Sequence, residues 1–267
     1  MQISDPHFGT EQPQVMAALT SLVRKQKPNL VVLSGDITQR AKPAQFQAAR
    51  RFMDSLHVPF LAIPGNHDIP LLNIWSRLRN PYARHSAAFG AELEPVYSSP
   101  DMMVICVNTT RAWRHRHGEV SDSQIARVAD VLSHASAEQL RIVVVHQPIA
   151  VTRAKDEIHR LRGHAVALHT WAIAGADLVM GGHIHLPYVP PLSGLARPMW
   201  AVQAGTSISS RVRSGVPNSV NIVRWGTDAA VGCCHIEQWD FSAEGSHFAI
   251  AKLSEVLPLH HKHAHQE

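Results

Sequence analysis

Residues 30–36 read LVVLSGD, an apolar run that ends at a glycine and a carboxylate. A helix with apolar residues at helical spacing precedes this run, and Pro43 opens a second helix after it. Residues 60–63, FLAI, give a further strand that ends just before Gly65. The order strand, helix, strand, helix, strand begins with a short strand before Asp5, and it predicts a parallel sheet with right-handed crossovers.

The alternation continues through the middle of the chain and then stops. Ser121 and Gln124 form a capping box at the start of a later helix, and further strand patterns lie between residues 103 and 180. From Pro198 onward, strand patterns follow one another without helices, which predicts a second, largely antiparallel sheet. Two sheets lying face to face with helices outside make an α/β fold, a four-layer αββα sandwich with two mixed β-sheets.

The composition is that of an ordinary globular protein. The chain has 267 residues, of which 45% are hydrophobic and 17% are charged. We expect one domain at 1–255, followed by a flexible histidine-rich tail at 256–267. The net charge of +4 is too small over this length to predict a stable nucleic-acid partner. Three cysteines and the lack of a signal sequence or long apolar run predict a cytoplasmic protein without a membrane span, and a homo-oligomer stays open.

Seven polar side chains follow apolar runs at separate points of the chain. They are Asp5, His7, Asp36, Asn66, His146, His183 and His185. Residues two apart on an extended segment point to the same side, so Asp5 with His7, and the pair at 183 and 185, can each converge on one locus. Carboxylate, amide and imidazole donors suit Mn, Fe, Zn or Co. The set predicts a site for two divalent metal ions at the carboxyl ends of the strands.

The charge of such a site suits an anionic substrate, of which a phosphoester is one. Two divalent ions bring four positive charges, and Asp5 with Asp36 returns two negative ones, so the site is cationic and binds an anionic phosphoester. Ions roughly 3.5 to 4 Å apart lower the pKa of a shared water and hold the attacking and leaving oxygens in line. We expect hydrolysis by a metal-bound hydroxide without a covalent intermediate.

The motifs DPH at 5–7, GD at 35–36, GNHD at 65–68, the lone His146 and GHIH at 182–185 resemble those of the calcineurin-like metallophosphoesterase superfamily. The resemblance implies two ligand sets that share Asp36 as a bridge: Asp5, His7, Asp36 and His185 for one ion, and Asp36, Asn66, His146 and His183 for the other. It also implies that His67, which is not a ligand, contacts the phosphate or protonates the leaving group, and that Asp68 orients it.

Within the superfamily, the motifs are most similar to those of class III cyclic nucleotide phosphodiesterases. That resemblance implies hydrolysis of a 3′,5′-cyclic nucleotide such as cAMP. Gln147 after His146, and Pro6 within the first motif, depart from the usual pattern of that branch. The alternative is a phosphodiesterase for glycerophosphodiesters or for other nucleotide or lipid-linked phosphoesters, although the lipid-precursor branch usually has Arg where His67 stands. A scaffold without activity is a third hypothesis, and the retained ligands argue against it.

A basic segment provides candidates for substrate binding. Residues 111–117 read RAWRHRH and follow the fourth predicted strand. We expect Arg111 and Arg114 to bind the substrate phosphate together with Asn66 and His67, because cations beside an aromatic suit a phosphate with a stacked base. A solvated basic loop is the alternative. Arg211 and Arg213, in a Ser/Gly-rich loop, carry the same hypothesis.

Overall fold

The computed structural model describes residues 1–71, 77, 79–114, 116–226 and 233–259. The strands of this described part are β1 Gln2–Ile3, β2 Val31–Ser34, β3 Phe60–Ile63, β4 Val96–Ser98, β5 Met102–Cys106, β6 Leu140–Val144, β7 Leu178–Gly181, β8 Trp200–Gln203, β9 Ser219–Trp225, β10 Cys234–Ser242 and β11 His247–Val256. Its α-helices are α1 Pro13–Gln26, α2 Pro43–Ser55, α3 Ala83–Phe89, α4 Asp122–Ser133 and α5 His164–Ala174. Two 3-10 turns, Asn66–Asp68 and Ala154–His159, complete the regular structure.

Two mixed sheets form, and their strand order corrects one sequence prediction. The first sheet has the order β11-β10-β9-β1-β2-β3, and the second has the order β4-β5-β6-β7-β8. The prediction that the C-terminal strands make a sheet of their own is wrong. β9 pairs antiparallel with β1, where Asn221 lies opposite Gln2, whereas β8 runs parallel to β7. Periodicity along one strand shows which face is buried, but it does not show which sheet edge that strand joins.

The predicted four-layer αββα sandwich is confirmed by three apolar clusters. One packs α1 and α2 against the first sheet, with Leu19 and Phe52 facing Leu33. A second packs α4 and α5 against the second sheet. The third lies between the sheets and combines residues of both, such as Val32 and Val144. Successive residues of β2 therefore face opposite layers, as the pleat requires.

The helix starts agree with the sequence patterns. Pro43 is the first residue of α2, and the capping box at α4 is confirmed, since Ser121 Oγ accepts from Gln124 N and Ser121 N donates to the Gln124 side chain. No helix within the described ranges combines the length and apolar character needed to cross a bilayer. β11 continues to Val256, and residues 260–267 of the predicted tail lie outside the described residues.

Candidate metal centre

Each of the seven candidate ligands follows a strand at its carboxyl end. Asp5 and His7 follow β1, Asp36 follows β2, Asn66 follows β3, His146 follows β6, and His183 with His185 follows β7. Parallel pairing of β1 with β2, of β2 with β3, and of β6 with β7 aligns these ends within each sheet. A bond between the sheets closes the site, because His183 N donates to Asp5 Oδ2 at 3.0 Å. The structure brings all seven side chains together there.

The first group of donors consists of Asp5, His7 and His185, whose candidate ligand atoms all lie within 4.8 Å of one another. His185 Nε2 lies 3.3 Å from Asp5 Oδ1 and 3.1 Å from His7 Nε2. Asp5 and His7 are buried, and the side chain of His185 is 12% exposed on the cleft side. One carboxylate oxygen and two imidazole nitrogens therefore converge on a single point.

The second group consists of Asp36, His146 and His183, again within 4.8 Å. Asn66 joins it, because Asn66 Oδ1 lies 3.3 Å from His146 Nε2. Asp36 faces both groups with different oxygens: Oδ1 lies 3.3 Å from His146 Nε2, and Oδ2 lies 3.8 Å from His7 Nε2. This is the placement that a bridging carboxylate between two cations needs.

The backbone at the site is held in an unusual conformation. Positive φ angles occur at Asp5 (48°), His7 (44°), Asp36 (47°), His183 (71°) and His185 (52°). Residues other than glycine adopt this left-handed region rarely and at a cost of about 1–3 kcal/mol each. Five of the seven candidates sharing it is typical of a functional site, where the surrounding fold imposes the backbone.

Hydrogen bonds behind the imidazoles orient two of them. His146 Nδ1 lies 2.9 Å from Ser34 O, and His185 Nδ1 lies 2.7 Å from Arg211 O, so the Nε2 atom of each ring faces the centre. The Nδ1 atoms of His7 and His183 are buried without a hydrogen-bond partner among the residues that the structure describes. Gly35 (φ +96°) fits here because a Cβ at this position would collide with His146 Nδ1.

The electrostatics of the buried cluster suit cation binding. Burial opposes ionisation of Asp36, but the charges of His146 and His67 outweigh it and hold the pKa of Asp36 well below its ordinary value. Burial lowers the pKa of His7 and of His183 to about 3, which keeps both imidazoles neutral and able to donate a lone pair. Burial also acts on His146, but Asp36 prevails and raises the pKa of His146 to about 9. The protein alone therefore holds a proton where a cation could bind.

His67 lies at the side of the centre nearest His7, with ring centroids 4.8 Å apart. Its Nδ1 lies 3.0 Å from Gln39 O, and its Nε2 lies 3.3 Å from Arg211 Nη1. Arg211 also donates to Gln39 Oε1 at 2.9 Å. Gln39 O can only accept, so Nδ1 of His67 carries a proton and donates to it. Nε2 of His67 and the Arg211 guanidinium then lie side by side at the wall of the cleft.

Asp68 does not orient His67 as the sequence prediction has it. Its carboxylate accepts hydrogen bonds from Ile37 N, Thr38 N, Thr38 Oγ1 and Gly65 N, at 2.8 to 3.0 Å. Burial and the neighbouring Asp36 charge raise the pKa of Asp68 to about 6. Asp68 therefore ties the loop after β2 to the loop after β3, and it fixes Asp36 and Asn66 relative to each other.

The centre opens into a cleft of about 660 Å³. Five cationic side chains line it, namely Arg40, Arg116, Lys155, Arg211 and Arg213. Gln39, Asp156 and His159 also line it, and His159 Nδ1 lies 3.1 Å from His183 Nε2. Arg211 and Arg213 were predicted from the sequence, and Arg116 lies in the basic segment 111–117. Arg40, Lys155 and His159 were not predicted, because isolated polar residues in loops carry no motif.

Arg111 and Arg114 are not among the residues that line this cleft. Arg111 donates to Asn108 O, Thr110 O and Gln124 Oε1, and Arg114 forms a salt bridge of 2.8 Å with Glu119. Arg116, two residues further on, does line the cleft. The role of Arg111 and Arg114 in substrate binding stays a prediction.

Comparison with known proteins places the chain in a family. The calcineurin-like phosphoesterase model matches residues 1–187. A probable cyclic nucleotide phosphodiesterase from Synechococcus sp. is 28% identical over 65% of this chain and 64% of its own length. The glycerophosphodiester phosphodiesterase GpdQ from Enterobacter lignolyticus is 24% identical over 68% and 69%, respectively. The chain thus spans about two thirds of the length of these relatives.

A solved structure supports the same fold. A purple acid phosphatase from seeds of yellow lupin, Lupinus luteus, superposes with a TM-score of 0.69 at 12% identity, over 96% of this chain and 53% of the phosphatase. At this identity the likeness concerns the fold alone. The family match covers well over half of the residues and includes every candidate ligand. The chain therefore belongs to the calcineurin-like phosphoesterase family.

Proposed function

We propose that this chain is a dinuclear metal-dependent phosphodiesterase that hydrolyses a small phosphodiester, with a 3′,5′-cyclic nucleotide such as cAMP as the first candidate. The placement of Asp36 carries the proposal. One of its oxygens lies near His146 and the other near His7, so two donor groups flank a single carboxylate. Membership of the family and the names of both relatives support a phosphodiester as substrate.

The residues present fit two divalent cations. Two carboxylates, one amide oxygen and four imidazoles converge. His7 and His183 have buried Nδ1 atoms without a hydrogen-bond partner among the described residues, and the Nε2 atom of each ring faces the centre. One position would take Asp5, His7, Asp36 and His185, and the other would take Asp36, Asn66, His146 and His183. Two bound ions supply an activated water and neutralise charge on the phosphoryl oxygens. Mn, Fe and Zn share these donors.

The chain's own residues position the ester and handle the proton. The Arg211 guanidinium donates to a phosphoryl oxygen at the point where His67 Nε2 opens to the cleft. Gln39 O holds the Nδ1 proton of His67, which keeps Nε2 directed at the leaving oxygen. His67 in its protonated form passes the Nε2 proton to that oxygen as the ester bond breaks. Asn66 contributes its amide nitrogen to the same phosphate.

Glycerophosphodiesters are the second candidate class, because one relative carries that activity in its name at nearly the same coverage. The departure at Gln147 does not decide between the two classes. Gln147 is buried and accepts from Thr109 Oγ1 at 2.5 Å, and it is not among the residues that line the cleft. The substitution therefore lies behind His146, away from the substrate.

A substrate panel tests the proposal. Protein reconstituted with Mn²⁺ is incubated with bis-p-nitrophenyl phosphate, p-nitrophenyl phosphate, cAMP, cGMP and glycerophosphocholine, and metal content is measured in parallel. We expect two bound equivalents and faster hydrolysis of diesters than of the monoester. A protein that acts on the monoester alone contradicts the diester assignment. Fewer than two bound equivalents together with no hydrolysis favour a scaffold, because a scaffold need not hold both metal ions. The cytoplasmic location and a homo-oligomer stay predictions.

A further inference from the structure

We propose that the cleft contains a second anion-binding subsite, formed by Arg116, Lys155 and His159, so that among phosphodiesters one with a second phosphate group binds more tightly than a cyclic mononucleotide. The inference rests on the proposed function, because it names the substrate class of the same site. A cyclic mononucleotide has a single phosphate, which the metal centre takes, and it leaves this subsite unused.

The position of the subsite follows from the two sides of the centre. His67 and Arg211 lie on the side of His7, at a ring distance of 4.8 Å between His67 and His7. His159 lies beside the other donor group, with Nδ1 3.1 Å from His183 Nε2. Lys155 comes from the same 3-10 turn as His159, and Arg116 reaches the cleft from the segment after β5. A phosphate on the centre is thus flanked by two separate basic groups.

The charges of the cleft distinguish these cations from ordinary surface residues. Arg213 is neutralised, because it donates to both oxygens of Asp156 at 2.9 and 3.0 Å. Arg116 and Lys155 are exposed, and within the described ranges neither forms a salt bridge. Both share a concave cleft with a centre that is itself cationic once metal is bound. Like charges collected there repel one another unless an anion is bound between them.

The size of the cleft agrees with a ligand larger than one phosphoryl group. Its volume of about 660 Å³ falls within the range of roughly 300–1,000 Å³ typical of sites for whole small molecules. A nucleotide diester with an additional phosphate, such as a cyclic dinucleotide or a 5′-phosphorylated dinucleotide, places one phosphate on the centre and the other against Arg116 and Lys155.

Calorimetry with a matched pair of ligands tests the subsite. Dissociation constants of adenosine 5′-monophosphate and adenosine 3′,5′-bisphosphate are measured on the Mn²⁺-loaded protein at fixed ionic strength. We expect the bisphosphate to bind about tenfold more tightly, because a second phosphate between two partly exposed cations adds modest free energy. The double variant Arg116→Gln, Lys155→Gln should bring the ratio of the two constants close to one.

The control removes the same charge outside the cleft. Arg153 and Arg162 are exposed, lie in the same part of the chain and do not line the cleft, so Arg153→Gln with Arg162→Gln should keep the tenfold ratio. Equal constants in the unaltered protein overturn the subsite, and so does an equal loss of the ratio in the control. A retained ratio without hydrolysis of any diester overturns the proposed function and leaves the subsite standing.

Discussion

The metal centre and the rim of the cleft both concentrate charge, but in opposite physical settings. At the centre five of the seven candidate ligands are buried, with Asp5 at 0% and Asn66 at 7% exposure, and five of the seven have left-handed backbone. The rim consists of the five cationic side chains that line the cleft around the centre, Arg40, Arg116, Lys155, Arg211 and Arg213. Those of Arg116 and Lys155 are long and exposed. A buried group without its partner is costly, whereas an exposed cation is solvated in any case. We therefore expect catalysis to depend on the centre and the choice of substrate to depend on the rim.

The largest effect is expected at the residue that both donor groups share. Asp36→Asn removes the carboxylate that lies between His146 and His7, so we expect bound metal to fall from two equivalents to fewer than one. Loss of several kcal/mol of charge stabilisation corresponds to a rate about 10³-fold lower. Metal analysis and kcat/KM for bis-p-nitrophenyl phosphate measure both effects.

Asp5 and Asp54 provide the comparisons for that variant. Asp5→Asn should cost less, because Asp5 serves one group of donors. Asp54 is exposed and pairs with Arg50 on α2, so Asp54→Asn should leave metal content and rate unchanged. If Asp36→Asn keeps both metal equivalents and its rate, Asp36 is not the bridge.

The contrast between centre and rim also explains what the sequence could predict. Each candidate ligand lies within a few residues of the end of an apolar run, as Asp36 does after β2 and His183 after β7, so the ends of the apolar runs are enough to predict where the candidates lie. The pairing of β9 with β1 could not be predicted, because a strand pattern does not specify its neighbouring edge. The fold class was accessible, and the topology of the C-terminal strands was not.

The rim was predictable only in general terms. Residues 111–117 are basic throughout, but Arg114 forms a salt bridge with Glu119 while Arg116 lines the cleft. In a loop no periodicity assigns a direction to each side chain, since tertiary contacts set it. Lys155 and His159 follow no motif, and their 3-10 turn is too short to leave a pattern. The sequence thus predicts a basic segment, but not that Arg116, rather than Arg111 or Arg114, lines the cleft.

The second effect concerns His67, which lies between centre and rim. His67→Ala should retain both metal equivalents, because each of the two proposed ligand sets is complete without His67, although His67 lies within 4.8 Å of His7 and Asp36. We expect the rate to fall about 100-fold for esters with alcohol leaving groups, whose departing oxygen needs a proton, and less for p-nitrophenyl esters. The measurement compares kcat for cAMP with kcat for bis-p-nitrophenyl phosphate. Equal losses on both would argue against proton donation.

The third effect lies on the rim. Arg211→Gln removes the guanidinium that lies 3.3 Å from His67 Nε2, and we expect KM for an anionic diester to rise about tenfold with a smaller change in kcat. Steady-state kinetics at constant ionic strength measures it. Arg114→Gln tests the sequence prediction in the same assay. A larger rise in KM for Arg114→Gln than for Arg211→Gln would mean that Arg114, and not Arg211, binds the substrate phosphate.

The smallest expected effect is on stability, and it tests how burial alone changes the pKa of a histidine that is not shifted by a carboxylate. His85 of α3 is 0% exposed and packs near Phe46 and Phe89, with ring centroids 6.1 and 5.4 Å away. Neither of its ring nitrogens has a hydrogen-bond partner within the described ranges. Burial lowers the pKa of His85 from 6.5 to about 4, whereas Asp36 raises the pKa of the equally buried His146 to about 9.

The sign of the resulting pH dependence is fixed by that shift. Between pH 6.5 and 4 the unfolded chain binds a proton at His85 that the folded protein does not, so the free energy of unfolding falls as the pH falls through this window. From pH 7 to pH 6, wild type should lose about 0.7 kcal/mol more than His85→Phe, which carries no titrating group there. Urea unfolding of both proteins at the two pH values measures the difference.

His169→Gln, on an exposed position of α5, should behave as wild type, because that side chain meets water in both states. If the free energy of unfolding falls equally for wild type and His85→Phe, burial among the phenylalanines does not keep His85 neutral. The pKa values of His85 and His146 then differ less than the structure indicates.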